Sequence, residues 1–327
     1  MRQLRIVTLL LIPAAVGLAG QSGSERFTDV AERLVKAVND GDYKAVDALF
    51  CSNMRDFMPL EKNERFFKGI SARFGRILEL DEPWLRPPIQ ATFVAECERG
   101  ELDIDIWLDD EDRIMGLRAV AHKPGLHVPA RNYTPLRLPF EGRWLVLWGG
   151  DTKELNRHHD VRNQRFAFDF VGVDEKGRTR KGLGRTNEAY FAFDREILAP
   201  ADGTVTDVIT GVRDNIPGSM NPYSALGNAV FVRHRRREIS ILAHLKFDSI
   251  KVKVGDKVKA GQVLGLCGNS GNSSEPHLHY HLQNTPIIQD GTGIKCFFEN
   301  VVAEGDEEER AEYSPEKSDI IEPCSAE

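Results

Sequence analysis

The sequence predicts two folded parts, a small α+β domain followed by an all-β domain of sandwich or barrel type. Apolar residues recur at helical spacing between Phe27 and Phe50, which indicates helices. Strand-like segments follow between Ile89 and Ala121, and an acidic cluster at Asp109–Asp112 separates the last two of them as a hairpin turn would. Beyond about residue 133 the chain consists of short β-branched segments broken by Gly and Pro, which is typical of an all-β fold.

The composition is that of a soluble globular chain long enough for two ordinary domains. The 327 residues are 41% hydrophobic and 28% charged, which excludes wholesale disorder and a protein with several membrane spans. Forty-three Lys and Arg against fifty Asp and Glu leave a formal net charge of −7, so no domain-wide basic field would attract phosphates. Nucleic acid is therefore not an expected partner.

The first 22 residues have the pattern of a secretory signal peptide. Two arginines lie within Met1–Arg5, an apolar run extends from Ile6 to Ala19, and small residues surround the end of this run, as in the three regions of a cleaved signal. The apolar run is shorter than the roughly 18 residues that cross a bilayer. We therefore expect cleavage, no stable membrane insertion afterwards, and a periplasmic or extracellular protein. An uncleaved N-terminal anchor is the alternative.

Residues 23–122 are predicted to form the α+β domain. A helix pair surrounds the break at Asn39–Asp42, and strands are expected at Ile89–Glu96, Leu102–Leu108 and Arg113–Ala121. Helices followed by antiparallel strands make a small α+β domain. In order and length this part resembles the cystatin-like accessory domains that precede catalytic domains in exported proteins.

Residues 123–150 are predicted to hold a linker and the first strands of the second domain, and residues 151–302 the rest of that domain. The strands expected in this part are Trp144–Trp148, Arg165–Val171, Thr204–Thr210, Ala229–Val232, Ile239–His244, Lys251–Val254, Val263–Cys267 and His277–Leu282. Residues 303–327 contain a charge run without an apolar period, which predicts an acidic, solvated and mobile tail.

The five cysteines are scattered without a C-x-x-C pair, so neither a thiolate zinc site nor a redox motif is predicted. Export would permit disulfides, and pairs of Cys51 with Cys97 or Cys267 with Cys296 would stay within one domain. A small buried hydrophobe is the simpler interpretation of each cysteine.

Histidines form the least random feature of the sequence, because seven of the nine lie between His158 and His281. A strand over His277–Leu282 would place His277, His279 and His281 on one face. The first and last of these would be roughly 13 Å apart at about 3.3 Å per residue, whereas zinc binds nitrogens at about 2.0–2.1 Å. At most one adjacent pair can therefore share a metal ion and its bound water.

Five segments resemble, in the same order, the LytM/lysostaphin-like zinc metallopeptidases. They are Leu198–Val205, Gly227–Asn228, Leu242–Leu245, Val254–Gly265 and Asn269–His279. The resemblance extends over roughly residues 151–285. It implies a barrel-sandwich-like peptidase domain with the duplicated hybrid motif, one Zn²⁺ per chain, and an endopeptidase that cuts stem peptides or cross-links of peptidoglycan.

The resemblance also implies roles for three histidines of these segments. His279 is a zinc ligand, and His277 is the general base that acts on the zinc-bound water. His244 is the other catalytic histidine, which orients the water or stabilises the oxyanion.

The remaining two ligands are implied by a rarer form of the family pattern. The commonest pattern places a His four residues before the Asp, and this sequence lacks it. A subgroup with a longer insert resembles the segment here, and it implies His158 and Asp169 as ligands. His159 stays the alternative to His158, because two neighbouring residues on an extended chain cannot both face the ion.

The implied ligand set is suited to hydrolysis. Two imidazoles and one carboxylate leave zinc with net positive charge and an open position, which lowers the pKa of bound water from about 15.7 to about 7. The loops Lys181–Tyr190 and Thr210–Leu226 are expected to wall the groove and to choose the peptide. Two alternatives remain open, a non-catalytic relative that binds or regulates cell-wall hydrolases, and a carrier or sugar-phosphotransfer module that shares the hybrid motif. The sequence indicates no oligomeric state.

Overall fold

The structure, a computed structural model of the chain, describes residues 23–86, 89–123, 128–306 and 308–324. The predicted signal peptide lies outside the described residues. The chain divides into two compact units, one ending at Lys123 and the other beginning at Pro124. Among the described residues, no helix combines the length and the apolar character that crossing a membrane requires.

In its described residues the first unit contains four α-helices and a five-stranded antiparallel sheet. The helices are α1 (Gly23–Asp40), α2 (Tyr43–Ala48), α3 (Ser52–Phe57) and α4 (Leu60–Phe74). The strands are β1 (Ile77–Leu80), β2 (Trp84–Arg86), β3 (Gln90–Cys97), β4 (Gly100–Leu108) and β5 (Ile114–Ala121). They lie in the order β1-β3-β4-β5, and β2 also pairs with β3.

The core of the first unit forms where the apolar stripe of α1 meets the sheet. Phe27, Val30 and Leu34 fall at helical spacing and are buried in one cluster with Ile104 and Ile106 of β4. This unit is therefore α+β, with two more helices than the sequence predicts. The similarity to cystatin-like domains stays a prediction.

The second unit is built from β-strands and short 3₁₀ turns in its described residues. The strands are β6 (Trp144–Trp148), β7 (Phe168–Gly172), β8 (Glu196–Leu198), β9 (Gly203–Ile209), β10 (Asn228–Arg233), β11 (Ile239–Leu245), β12 (Lys257–Val258), β13 (Val263–Leu266), β14 (Leu278–Gln283), β15 (Gly293–Ile294), β16 (Phe298–Ala303), β17 (Arg310–Tyr313) and β18 (Ile320–Pro323). Eleven of them form one sheet in the order β12-β9-β10-β11-β14-β7-β6-β18-β16-β17, with β15 beside β14. Strands β8 and β13 form a separate pair.

The strands β11, β14 and β7 are neighbours near the middle of the large sheet. Residues that alternate along β14 and β7 point to opposite faces. Leu278, Tyr280, Phe168 and Phe170 accordingly lie in the core of this unit. The residues between them therefore face the other side of the sheet.

The structure differs from the prediction of a mobile tail after residue 302. Strand β17 pairs with β16, and β18 lies between β6 and β16. Ile321 of β18 is buried, so this part of the chain supplies apolar surface to the core. Glu308 and Glu309 of the charge run lie between β16 and β17 and are exposed.

One further strand prediction is wrong, and the cysteines follow the simpler interpretation except at Cys324. Lys251–Val254 does not form a strand, although Lys251 donates its N–H to the carbonyl of Leu264. None of the five cysteines forms a disulfide, so neither of the two permitted pairs is present. Four of them are buried and Cys324 is exposed.

Candidate metal centre

Among the described residues, one group of side chains is arranged to hold a metal ion. The possible ligand atoms of His158, Asp169 and His279 all lie within 4.8 Å of one another. The side chains are 11%, 1% and 3% exposed, respectively. Both carboxylate oxygens of Asp169 lie 3.2 Å from Nε2 of His158, and Oδ1 lies 2.9 Å from Nδ1 of His279. The structure therefore brings together the three residues that the sequence predicts as ligands.

The pairing of two strands places Asp169 and His279 side by side. Residues 169 of β7 and 279 of β14 are direct partners in the antiparallel register. Their neighbours along each strand are core residues, so both polar side chains project from the opposite face. The aspartate and the histidine meet because of this register, although they are 110 residues apart in the chain.

Asn156 holds the loop that carries His158. Its side chain is fully buried, and Nδ2 donates to the carbonyls of Gly150, Arg165 and Ala167 at 3.2, 3.3 and 3.0 Å. Its Oδ1 accepts a hydrogen bond from the N–H of His158 at 3.0 Å. One buried amide thus ties both ends of the loop and orients the backbone of the histidine.

The neighbours of His158 have different surroundings. The ring of His159 pairs with Asp160, with Nδ1 3.2 Å from a carboxylate oxygen, and lies outside the cluster. Arg157 reaches inward, and its guanidinium lies 3.2 Å from Oδ2 of Asp169. The geometry favours His158 over His159 as the ligand. Sequence reasoning gave no role to Arg157, because nothing local distinguishes an arginine that reaches inward.

His277 presents a free nitrogen to the cluster. Its Nδ1 lies 2.8 Å from the carbonyl oxygen of Glu275, and a carbonyl only accepts, so this nitrogen carries the hydrogen of the neutral ring. Its Nε2 is buried, has no hydrogen-bond partner among the described residues, and lies 3.7 Å from Oδ1 of Asp169. The Oγ of Ser273 also lies 3.0 Å from Nδ1. In the neutral ring, Nε2 of His277 therefore keeps a free electron pair, and this nitrogen lies beside the carboxylate of Asp169.

In His244, as in His277, Nδ1 lies within hydrogen-bond distance of a backbone carbonyl oxygen. Its Nδ1 lies 2.8 Å from the carbonyl oxygen of Ser270, so this nitrogen also carries the ring hydrogen. The centroid of the His244 ring is 4.7 Å from that of His277 and 5.8 Å from that of His279. Its backbone has a φ of 61°, a left-handed conformation that is uncommon outside Gly and concentrates at functional sites.

The surroundings shift the pKa values of Asp169, His279 and His244 away from their ordinary values. Burial alone would raise the pKa of Asp169, but His277, His158 and His279 hold that pKa well below its usual range. Burial lowers the pKa of His279 to about 4, although the nearby carboxylate of Asp169 opposes this shift. Burial, and then the nearby His277, also lowers the pKa of His244 well below its ordinary value.

The donor set fits a divalent ion such as zinc. Neutral imidazole nitrogens and one carboxylate are the ligands that zinc accepts in catalytic sites. The orphaned Nε2 of His277 is a second observation, since a buried nitrogen without a partner costs free energy unless something at the site meets it. The residues present therefore match the metal that the sequence predicts.

The two loops that were expected to wall a groove are tied to the segment before His277. Asn187 donates to the carbonyl of Asn215 at 2.8 Å. Asn215 in turn donates to the carbonyls of Gly271 and Ser273 at 2.7 and 2.9 Å. The role of these loops in choosing a peptide stays a prediction.

Two buried residues beyond His279 on the same face of β14 were given no role by sequence reasoning. They are His281 and Gln283, and a hydrogen-bonded chain links them to His279. The period of two along the strand was the signal that could have indicated both.

The fold and the cluster define a β-sheet domain with a candidate mononuclear metal centre. Residues 189–291 match Peptidase family M23, so this part of the chain is an M23 peptidase domain. The matched range includes His244, His277 and His279, whereas His158 and Asp169 precede it.

Curated relatives align with parts of the chain. It is 32% identical over 126 residues to the cell division protein DipM of Caulobacter vibrioides, which is 38% of this chain and 19% of that protein. It is 43% identical over 116 residues to the peptidoglycan DD-endopeptidase ShyC of Vibrio cholerae, which is 36% of this chain and 25% of that protein. It is 44% identical over 62 residues to ShyA, a peptidoglycan DD-endopeptidase of the same organism, which is 19% of this chain and 14% of that protein. The chain thus spans a quarter or less of the length of each of these relatives.

Among solved structures, the catalytic domain of lysostaphin from Staphylococcus simulans aligns at 18% identity with a TM-score of 0.28. That alignment covers 47% of this chain and 88% of the lysostaphin domain.

Proposed function

We propose that the chain is an exported, zinc-dependent endopeptidase that hydrolyses peptide bonds in stem peptides or cross-links of peptidoglycan. The observation that carries the proposal is the meeting of His158, Asp169 and His279 with the free nitrogen of His277 facing them. The M23 match supports the reaction class. Relatives named as peptidoglycan DD-endopeptidases support the substrate class, and the signal-like pattern of residues 1–22 supports export.

His158, Asp169 and His279 would hold the ion. When bound, a zinc ion supplies a Lewis acid that polarises the peptide carbonyl and acidifies water. The carboxylate of Asp169 is anionic in its surroundings, so it balances part of the positive charge of the ion. Asp169 and His279 are almost fully buried, so bulk solvent has little access to these two ligands.

His277 has the properties of a general base. Its Nδ1–H is engaged with the carbonyl of Glu275, so Nε2 is the atom that takes up a proton. A base must lie within hydrogen-bond reach of the proton that it accepts, and Nε2 lies beside Asp169. His277 would accept the proton of the attacking water and return it to the leaving amine.

The surroundings of His244 support one of its two predicted roles. With its hydrogen on Nδ1 and donated to Ser270, the neutral ring offers only an acceptor at Nε2. An acceptor can orient a water molecule, but it cannot donate to an oxyanion. We therefore assign His244 to orientation of the water.

Metal content measured by mass spectrometry on the full chain tests the proposal. We expect about one zinc in the wild type and its loss in His158→Ala and Asp169→Ala. His159→Ala is the matched control, because this neighbour lies outside the cluster and its removal should leave zinc bound. A wild type without zinc, even after zinc is supplied, would contradict the proposed centre.

Digestion of purified peptidoglycan, with the products separated and weighed, tests the activity. Wild type and His159→Ala should release cleaved peptides, whereas His277→Ala should keep its zinc and release none. Bound zinc without any cleavage by the wild type would support the alternative, a peptidase-like protein that binds or regulates other cell-wall hydrolases.

A further inference from the structure

A chain of buried hydrogen bonds leads away from His279 along one face of β14. Nε2 of His279 lies 3.1 Å from Nδ1 of His281, and Nε2 of His281 lies 3.1 Å from Oε1 of Gln283. The amide Nε2 of Gln283 donates to the carbonyl of Thr285 at 2.5 Å. Asn163 donates to Oε1 of Gln283 at 3.1 Å. The side chains of His281 and Gln283 are buried, so water does not compete for these bonds.

The carbonyl of Thr285, at the far end of this series of hydrogen bonds, fixes which atom donates and which accepts in every bond of the series. The carbonyl of Thr285 only accepts, so the atom of Gln283 that faces it is the amide nitrogen. The amide oxygen must then accept from His281, whose Nε2 carries the hydrogen. A neutral imidazole has one ring hydrogen, so Nδ1 of His281 is an acceptor. His279 must therefore donate through its Nε2–H.

This direction determines which nitrogen of His279 is free. With the hydrogen on Nε2, the electron pair of Nδ1 faces Oδ1 of Asp169 across 2.9 Å. Two electron-pair donors at this distance repel each other unless a cation binds both. The other tautomer would place a hydrogen on Nδ1 and donate it to the carboxylate, a strong charge-assisted bond that would occupy both ligand atoms.

We propose that His281, oriented by Gln283, is a positioning residue that holds His279 in the tautomer whose Nδ1 is free to bind the metal ion. The inference rests on the proposed function, because it assumes an ion at this cluster. Groups that hydrogen-bond to a ligating histidine set its tautomer, and their loss costs about 10–100-fold in metal affinity.

Two substitutions of nearly equal size separate the hydrogen bond from the packing. His281→Leu removes the acceptor, whereas His281→Asn keeps an amide oxygen near the position of Nδ1. Competition with a chelator on the full chain should give a zinc dissociation constant about 10–100-fold higher for His281→Leu. His281→Asn should stay within about threefold of the wild type, because the acceptor is restored. The visible absorption of the cobalt(II)-substituted protein should change in the Leu variant alone.

The matched control is the same pair of substitutions at His234, another buried histidine of the second unit. Its ring bonds to the carbonyl of Asp202 and the hydroxyl of Ser240, both at 2.8 Å. Neither partner belongs to the cluster, so His234→Leu and His234→Asn should leave the affinity for zinc unchanged. An equal loss of affinity at both histidines would assign the effect to general destabilisation and overturn the proposal.

The tautomer is measurable without metal, by long-range ¹H–¹⁵N correlation spectra of the histidine rings. His279 should carry its hydrogen on Nε2 in the wild type and in His281→Asn, and on Nδ1 in His281→Leu. A wild type with the hydrogen on Nδ1 would overturn the inference, and so would unchanged zinc affinity in His281→Leu. If the wild type binds no zinc, the proposed function fails, and the spectra still show which nitrogen of His279 carries the hydrogen.

Discussion

Replacing Asn156 by Asp tests whether one buried amide holds the loop that carries His158. The substitution keeps the size and shape of the side chain and exchanges the donating Nδ2 for an oxygen that cannot donate. Three carbonyl oxygens surround Nδ2 at 3.0–3.3 Å, and its two hydrogens satisfy two of them at a time. The change therefore removes two hydrogen bonds and places an oxygen against three others.

The expected loss of stability follows from these contacts. Each buried polar group left without a partner costs about 1–3 kcal/mol, so two of them lower the free energy of unfolding by about 2–6 kcal/mol. The free energy of unfolding of a typical domain is about 5–15 kcal/mol, so urea denaturation can measure a loss of this size. Affinity for zinc should fall as well, because His158 lies on the loosened loop.

Asn221→Asp is the control for this experiment. Within the described part of the chain, the side chain of Asn221 makes one hydrogen bond, in which its oxygen accepts from the N–H of Tyr223 at 3.2 Å; an aspartate keeps that bond. The control should change stability by less than about 0.5 kcal/mol, the usual range for surface substitutions. An Asn156→Asp variant as stable as Asn221→Asp would refute the role of the amide.

Three further predictions concern charge, pH and backbone conformation. Arg157→Gln should tighten zinc binding up to about fivefold by chelator competition, because the half-exposed guanidinium 3.2 Å from Asp169 competes for the carboxylate with about 0.2–1 kcal/mol. Burial lowers the pKa of His234 from 6.5 to about 4 in the folded chain. As pH falls from 6.5 to 4, the unfolded chain therefore takes up a proton that the folded chain does not, and the free energy of unfolding falls by about 3 kcal/mol. The urea midpoint of His234→Asn should lack this part of the pH dependence. Gly227 has a φ of 61°, and an added Cβ would lie 2.4 Å from the carbonyl oxygen of Ser270, so Gly227→Ala should cost more than about 2 kcal/mol in urea denaturation from left-handed strain and crowding.

Local patterns predicted those parts of the site that lie on one strand. The alternation over His277–Leu282 is a property of a single segment, and it correctly placed Leu278 and Tyr280 in the core and the histidines on the opposite face. The contact between Asp169 and His279 depends on strand register across the sheet. No periodicity reports such a register, so only the family resemblance pointed to Asp169.

The fold predictions failed where apolar signals were sparse. The helix α4 has a narrow buried stripe, with Phe67 and Phe74 inside and mostly charged or small residues between, so its period was easily missed. Likewise β18 offers only two adjacent isoleucines, one of them buried, within a chain region dominated by charge. Tertiary packing against β6 and β16 makes it a strand, and this packing is not visible in the local sequence.

The hydrogens of three histidines at the cluster are fixed by groups outside it. Carbonyl oxygens of the segment before β14 accept from Nδ1 of His277 and of His244, whereas Nδ1 of His281 accepts from Nε2 of His279. In His277 and His279 the free nitrogen faces Oδ1 of Asp169. These carbonyls and His281 thus set which ring nitrogen is free before any ion or substrate arrives, which lowers the cost of reorganisation at the centre. Substitutions that move these carbonyls or His281 should therefore change the site while all three predicted ligands remain in place.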